Sequence, residues 1–146
     1  MTRIREIREG DCGKNFETGI HEFDFDRDGK KLDLSFYYER GKSGKYESYV
    51  LEERGEILGL LCIQNREDCL YLSRIGVKKG HTGKGYGFKL MMFVLQKTGE
   101  YNKKIMTCKA REEVWEFFES MGFKKKQVYY DPHWGKSALM ELKLKD

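Results

Sequence analysis

Residues 76–91 read GVKKGHTGKGYGFKLM, with Gly76, Gly80, Gly83, Gly85 and Gly87 crowded together before the chain turns abruptly apolar. Upstream, CLYLSRIGV (69–77) reads as a strand. Downstream, Phe88, Met91, Met92 and Leu95 fall on one face of a helix predicted over Gly85–Gly99, with Gly99 as its C-cap. A strand, a glycine-rich turn and a helix form an arrangement that binds phosphate, because exposed N–H groups and the positive dipole end converge there. Lys78, Lys79, Lys84 and Lys89 add positive charge. Gly76 inside the strand signals a bulge or a close ligand. Two familiar templates fail. A Walker A loop would need Ser or Thr where Gly85 stands and Gly where Lys78 stands, and a GxGxxG fingerprint would need Gly at Phe88. A tight solvated turn is the plainer alternative, and the lysines favour phosphate over it.

Working outward, TRIREIRE alternates as an opening strand, and Phe16, Ile20 and Phe23 fall at helical spacing. Residues 31–40, KLDLSFYYER, read as a second short helix, and GKSGK as a loop. YESYVLEE (46–53) and ILGLLCIQ (57–64) are strands before CLYLSRIGV, and KKIMTCKA (103–110) is a strand after the glycine helix. REEVWEFFESMG (111–122) is an amphipathic helix, with Val114, Phe117, Phe118 and Met121 on one face and Gly122 at its end. FKKKQVYY (123–130) and SALMELKL (137–144) flank the turn DPHWGK. The order β-α-α-β-β-β-α-β-α-β-β describes one α/β domain over residues 1–146, a mixed sheet of about seven strands flanked by about four helices.

The composition excludes several classes. Apolar residues are 39%, charged residues 36% and proline occurs once, which speaks against disorder. No apolar run approaches the ~20 residues of a membrane span, and MTRIREIREG lacks the apolar core of a signal peptide. A net charge of +4 does not by itself imply nucleic acid. Cys12, Cys62, Cys69 and Cys108 lack CxxC spacing and read as reduced thiols of a cytoplasmic protein. His21, His81 and His133 are scattered, so no metal site is expected. Asp24, Asp26 and Asp28 before Gly29 begin like a calcium loop, but Ser35 stands where the bidentate Glu belongs, so a solvated acidic loop is favoured. KKK at 124–126 reads as solvated charge, and Trp115 and Trp134 as core edge or pocket wall.

The segment LSRIGVKKGHTGKGYGFKLM resembles the acetyl-CoA signature of the GNAT N-acetyltransferase superfamily: a strand ending in valine, then [QR]-x-x-G-x-[GA], then a helix. Val77, Gly85 and Gly87 match in spacing, while Thr82 replaces the usual Gln or Arg. EFFESMGFKK resembles the second signature of the family, with Gly122-Phe123 matching, Arg111 in place of Asn, Val114 of Ala and Phe118 of Tyr. The resemblance implies acetyl-CoA as cofactor. Ile75 and Val77 would pair with its pantetheine arm where their strand splays from KKIMTCKA. Thr82, Gly83, Lys84, Gly85, Tyr86 and Gly87 would hold the pyrophosphate, and Arg111 and Phe118 would lie beside the thioester.

The implied reaction passes an acetyl group directly from acetyl-CoA to a primary amine: a peptide α-amine, a lysine or a small-molecule amine. No carboxylate stands at Tyr71 or Ser73, where family members place a base, so Glu52 and Glu53 or a water chain are the candidates. Phe118 cannot donate a proton, and Tyr130 is the candidate acid, with Tyr129 on the opposite face of its strand. Glu22, Asp24, Asp26, Asp28 and Asp33 would draw an acceptor with a cationic charge beyond the reacting amine. A monomer or homodimer is expected. Arg111 and Phe118 also motivate a second reading, a non-catalytic acyl-CoA-binding module. A nucleotide-binding module is a third, disfavoured by the failed Walker match.

Overall fold

A computed structural model describes residues 1–144, apart from the side chains of His21 and Glu22. The elements are β1 (Thr2–Glu6), α1 (His21–Asp24), α2 (Leu34–Lys42), β2 (Glu47–Glu53), β3 (Glu56–Asn65), β4 (Leu70–Val77), α3 (Tyr86–Glu100), β5 (Ile105–Arg111), α4 (Trp115–Ser120), β6 (Lys124–Asp131) and β7 (Gly135–Lys143). They form one seven-stranded sheet in the order β1-β2-β3-β4-β5-β7-β6. Among the described strands only β4 and β5 pair parallel, and α3 makes the crossover between them. The element order is the one expected from the sequence, and the fold is a mixed α/β sheet. β7 is the inner strand of the final hairpin and β6 the edge. The polarity of KKKQ suits that edge, where four successive residues are exposed.

Two cores lie on the two faces of the sheet. The larger packs α3 and α4 against one face of β2, β3, β4, β5 and β7, with Leu61, Leu70, Leu90, Met91, Met106 and Met140 fully buried. The smaller packs Phe16, Leu34 and Tyr37 against Val50, Ile57, Leu60 and Cys62. Helix α3 approaches closely at Gly59, where a Cβ would stand 3.0 Å from Leu90 Cδ1 and 3.1 Å from Leu51 Cβ. All four cysteines are free.

Three local expectations are corrected. The Phe16–Phe23 segment is helical only over His21–Asp24, because Phe16 is buried in the smaller core and the Thr18–Gly19 turn is tied to the Asp24 carboxylate. Gly99 does not end α3. The helix runs to Glu100 with Tyr101 as C-cap, and Asn102 takes the left-handed conformation (φ 55°) that closes it. The helix expected from Arg111 begins as a 3-10 turn over Glu112–Val114, and regular α-helix is confined to Trp115–Ser120. There the Trp115 indole donates to the Ala110 carbonyl at 2.8 Å and anchors the start of α4.

Candidate active site

Strands β4 and β5 are joined only at their starts. Leu70 pairs with Met106, Tyr71 with Thr107 and Leu72 with Cys108, and there the ladder stops. At the same level Cys62 of β3 faces Arg74 while Ile63 faces Leu72, which leaves Ser73 as the extra residue of a β-bulge. A bulge bends its strand and slips the side-chain alternation by one. Ile75 and Val77 therefore share the larger core with Leu70 and Leu72. Backbone directions follow from the same strand. The Lys78 N–H donates to the Leu58 carbonyl, toward β3, at 2.9 Å. Stepping back by twos sends the Gly76 amide the same way and aims those of Ile75 and Val77 across the gap toward β5.

The gap holds a cleft of about 440 Å³, which brings together Ile75, Val77, Thr82, Gly83, Gly85, Gly87, Arg111 and Phe118. Its charged lining among the described residues is Arg74, Lys109 and Arg111, with no carboxylate. Arg111 is buried, ion-paired with Glu113 and set over the Phe23 ring at 5.1 Å. Phe118 is a buried wall, packed edge-on against Phe117 and Phe123. Lys84 is exposed outside the lining, and Tyr86 turns into the core, where its hydroxyl donates to Glu53 at 2.8 Å.

The first turn of α3 faces the cleft. Gly85 is its N-cap, with φ 84° and no side-chain cap, and the first helical hydrogen bond runs from Lys89 N–H to the Gly85 carbonyl. The amides of residues 86–88 are thus left without helix acceptors. A Cβ on Gly85 would meet nothing within 4 Å, so glycine is needed there for the left-handed backbone and not for space. Gly87 has no such conformational need and lies in the lining, with only the Phe117 ring near its missing Cβ at 3.4 Å.

The expected catalytic side chains fall outside this cleft. Tyr130 stands 75% exposed on the edge strand β6 and is absent from the lining. Its neighbour Tyr129 is the half-buried one, and burial raises its hydroxyl pKa. Glu52 is ion-paired with Arg5 at 3.1 Å and Arg3 at 3.0 Å, contacts that lower its pKa, led by the Arg5 hydrogen bond. Glu53 accepts from Tyr86. The one thiol in the cleft is Cys108, which burial pushes up to about 12, so it is not a thiolate at neutral pH.

A second cleft of about 480 Å³ opens off the first, sharing Ser73, Arg74 and Trp134 with it. Its walls are Phe36, Tyr37 and Arg40 of α2, Tyr71 of β4, and His133 and Trp134 of the β6–β7 turn. The Asp131 carboxylate orders that turn by accepting the His133 and Trp134 amides at 2.8 and 3.0 Å, and Arg27 pins it at 2.6 Å. Of the acidic segment expected to face this side, Asp26 and Asp28 do line the second cleft, while several of its carboxylates are engaged locally. Asp24 accepts from Thr18 and Gly19, Asp33 caps α2 through Phe36 N–H, and Asp26 accepts the Asp28 and Lys30 amides. The Glu22 side chain lies outside the described residues. Arg40, Arg66 and Arg74 carry no local signal of the cleft in the sequence, and His133 stands there only as one of three scattered histidines. One signal was present for the bulge: Leu70 and Leu72, then Ile75 and Val77, skip a step in the alternation at Ser73.

A family model described as an acetyltransferase (GNAT) domain matches residues 28–144. The chain belongs to the GNAT acetyltransferase family. Solved structures share this GNAT fold. The ribosomal-protein-S18-alanine N-acetyltransferase from Escherichia coli superposes with a TM-score of 0.79 at 17% identity, over 100% of this chain and 96% of that one. Salmonella typhimurium yncA, solved with its cofactor acetyl-CoA, gives 0.73 at 19% identity over 99% and 95%. An aminoglycoside 6'-N-acetyltransferase complexed with coenzyme A gives 0.68 at 10% identity over 82% and 84%. No curated protein sequence matches this GNAT chain. No described helix is long and apolar enough to cross a membrane.

Proposed function

We propose that this GNAT domain transfers an acetyl group from acetyl-CoA directly to a primary amine. The observation that carries the reading is the interrupted β4–β5 ladder. Two strand amides face a gap whose described lining holds three cations and no carboxylate, and the gap leads to the uncapped N-terminus of α3. Such a cradle suits a long, polyanionic ligand with an amide-bearing arm. Ile75 and Val77 would pair with the arm, the amides of residues 86–88 with Lys84 nearby would take the pyrophosphate, and Arg111 and Phe118 would wall the thioester end. When bound, acetyl-CoA supplies the thioester whose acyl carbon the amine attacks.

The amine would enter from the second cleft and meet the acyl carbon at Ser73, where the bulge leaves backbone groups without a ladder partner. An N–H there would stabilise the negative charge developing on the acyl oxygen. With its pKa near 12, Cys108 gives no covalent relay, which favours one-step transfer. A lysine with a pKa of about 10.4 is only about 1 part in 2,500 neutral at pH 7, whereas an α-amine near 8 is about 10% neutral. Arg74 at the throat lowers the pKa of a neighbouring ammonium by like-charge repulsion and so does part of the work of the missing carboxylate base. A coenzyme A thiol of ordinary pKa, about 8.5, leaves tolerably as thiolate, which suits a wall residue at Phe118.

Free-thiol release from acetyl-CoA, measured against peptide α-amines, lysine and small amines, tests the reading. Amine-dependent release above the buffer rate is expected. Tight acetyl-CoA binding without release for any amine would establish the non-catalytic acyl-CoA module instead, and competition by ATP would point to a nucleotide-binding module.

A further inference from the structure

Within the acetyl-transfer reading, on which this inference rests, the second cleft has a charge balance that specifies its occupant. Its described lining holds Arg27, Arg40, Arg66 and Arg74 against Asp26 and Asp28. Arg27 is paired with Asp131 at 2.6 Å. Among the described residues no carboxylate pairs with Arg40, Arg66 or Arg74. Like charges gathered in one cleft repel each other, a cost that a bound anion would offset.

All three are nonetheless held in place. Arg40 lies between the Phe36 and Tyr46 rings at 4.7 and 4.6 Å, Arg66 sits 3.8 Å from the Tyr71 ring, and Arg74 sits 4.9 Å from the Phe23 ring. Arg40 and Arg74 also flank one ring, Tyr37, at 5.8 and 6.0 Å. Few hydrogen bonds fix each fork: Arg40 Nη1 donates to Ser73 Oγ at 3.1 Å and its guanidinium also reaches the Cys62 thiol, Arg66 Nε donates to Gln64 Oε1 at 2.8 Å and Arg74 Nε to Tyr37 Oη at 2.7 Å. Most of the five N–H donors of each guanidinium are left for a ligand. The β6–β7 turn adds a separate observation: His133 Nε2 and Trp134 Nε1, both in this lining, are buried without a hydrogen-bond partner.

We infer that the second cleft binds an anionic group of the acceptor, a carboxylate or a phosphate, on the forks of Arg40, Arg66 and Arg74. The acceptor is then a small primary amine with its anion a few bonds from the nitrogen, since Arg74 and Ser73 belong to both clefts. A volume of about 480 Å³ suits a small molecule. Guanidinium groups set over aromatic rings with open forks match the bidentate geometry of both anions.

A matched panel tests this: propylamine, 3-aminopropionate, 3-aminopropyl phosphate and 1,3-diaminopropane. Each is titrated calorimetrically into the protein with coenzyme A and assayed by thiol release from acetyl-CoA. The anionic members should bind at least about 10-fold tighter than propylamine, with the diamine weakest. The better of the two names the anion. Arg66→Gln should raise KM for that member by about 10- to 100-fold with little change in kcat or coenzyme A affinity. Arg66→Lys should recover only part, since it restores charge without the fork. Propylamine or the diamine binding as well as the anions, or an unchanged KM in Arg66→Gln, would overturn the inference. Arginine-dependent binding of the anions without thiol release would uphold the anion site and remove the acetyl-transfer reading. Release with the diamine preferred would do the reverse.

Discussion

Tyr130 and Phe118 bear on how the thiol leaves. Phe118 lines the cleft but carries no proton, and Tyr130 carries a proton but is 75% exposed on the edge strand. Tyr130→Phe should therefore leave kcat within about 2-fold, well short of the ~10²-fold or more that a positioned general acid contributes. A larger drop, with chemistry shown to limit turnover, would put the hydroxyl back into the site. Asp11 is a residue whose importance is structural. It is 1% exposed, takes both Arg5 nitrogens at 2.8 Å and accepts the Arg8 amide at 2.9 Å. The hydrogen bond from Arg5 leads in holding its carboxyl at about 2, below the ordinary 3.8. A depressed acid contributes stability that is present above its unfolded pKa and lost as pH falls toward its folded one. Asp11 should thus contribute fully above about pH 4 and progressively less down to about pH 2. Asp11→Asn should cost about 3 kcal/mol at pH 7, the low end for breaking a buried pair, because Arg5 keeps Glu52 at 3.1 Å. In denaturant titrations the gap between parent and variant should narrow below about pH 4 and close toward about pH 2. A gap that stays constant with pH would mean that the ion pair is not its origin.

At the scale of elements, the strand, glycine turn and helix were legible because their signals are local: alternation in CLYLSRIGV, clustered glycines, then an apolar helix face. The gap between β4 and β5 depends on a bulge at Ser73, whose mark is a single skipped step in that alternation. The end of α3 went to Asn102 and not to Gly99, since both residue types reach the left-handed conformation and only packing chooses between them. The second cleft was not legible. Arg40 lies on α2, Arg74 on β4 and Trp134 in the β6–β7 turn, and no local pattern says that these three meet. Acidic residues close together in sequence suggested a cation site, yet Asp24, Asp26 and Asp33 are taken up by the backbone of their own segment. Within the glycine turn, conformation and space separate cleanly. Gly85→Ala should cost about 1 to 2 kcal/mol through its left-handed backbone (φ 84°) and so is a poor probe of binding. Thermal melts of that variant check the point, and an unchanged melting temperature would show that the turn tolerates a side chain.

For the whole molecule, one sheet carries two cores on opposite faces; the first cleft opens where the parallel pair β4 and β5 separates, and the second adjoins it at Ser73, Arg74 and Trp134. Opening the sheet between β4 and β5 forgoes ladder hydrogen bonds, which a ligand bound as proposed would replace. Acetyl-CoA at about 100 times its Kd should stabilise the fold by about 2.7 kcal/mol. Gly87→Ala isolates the claim that the helix N-terminus and the gap form one cofactor cradle. Its Cβ has room in the free protein, with the Phe117 ring at 3.4 Å, and alanine favours the helix by up to about 1 kcal/mol. The direct measurement is acetyl-CoA titration calorimetry on the parent and on Gly87→Ala, with a thermal melt of each. The parent should bind one acetyl-CoA per chain, and Gly87→Ala should bind at least about 10-fold more weakly while melting at the same temperature or higher. No binding by the parent, or equal affinity in the two proteins, would contradict it.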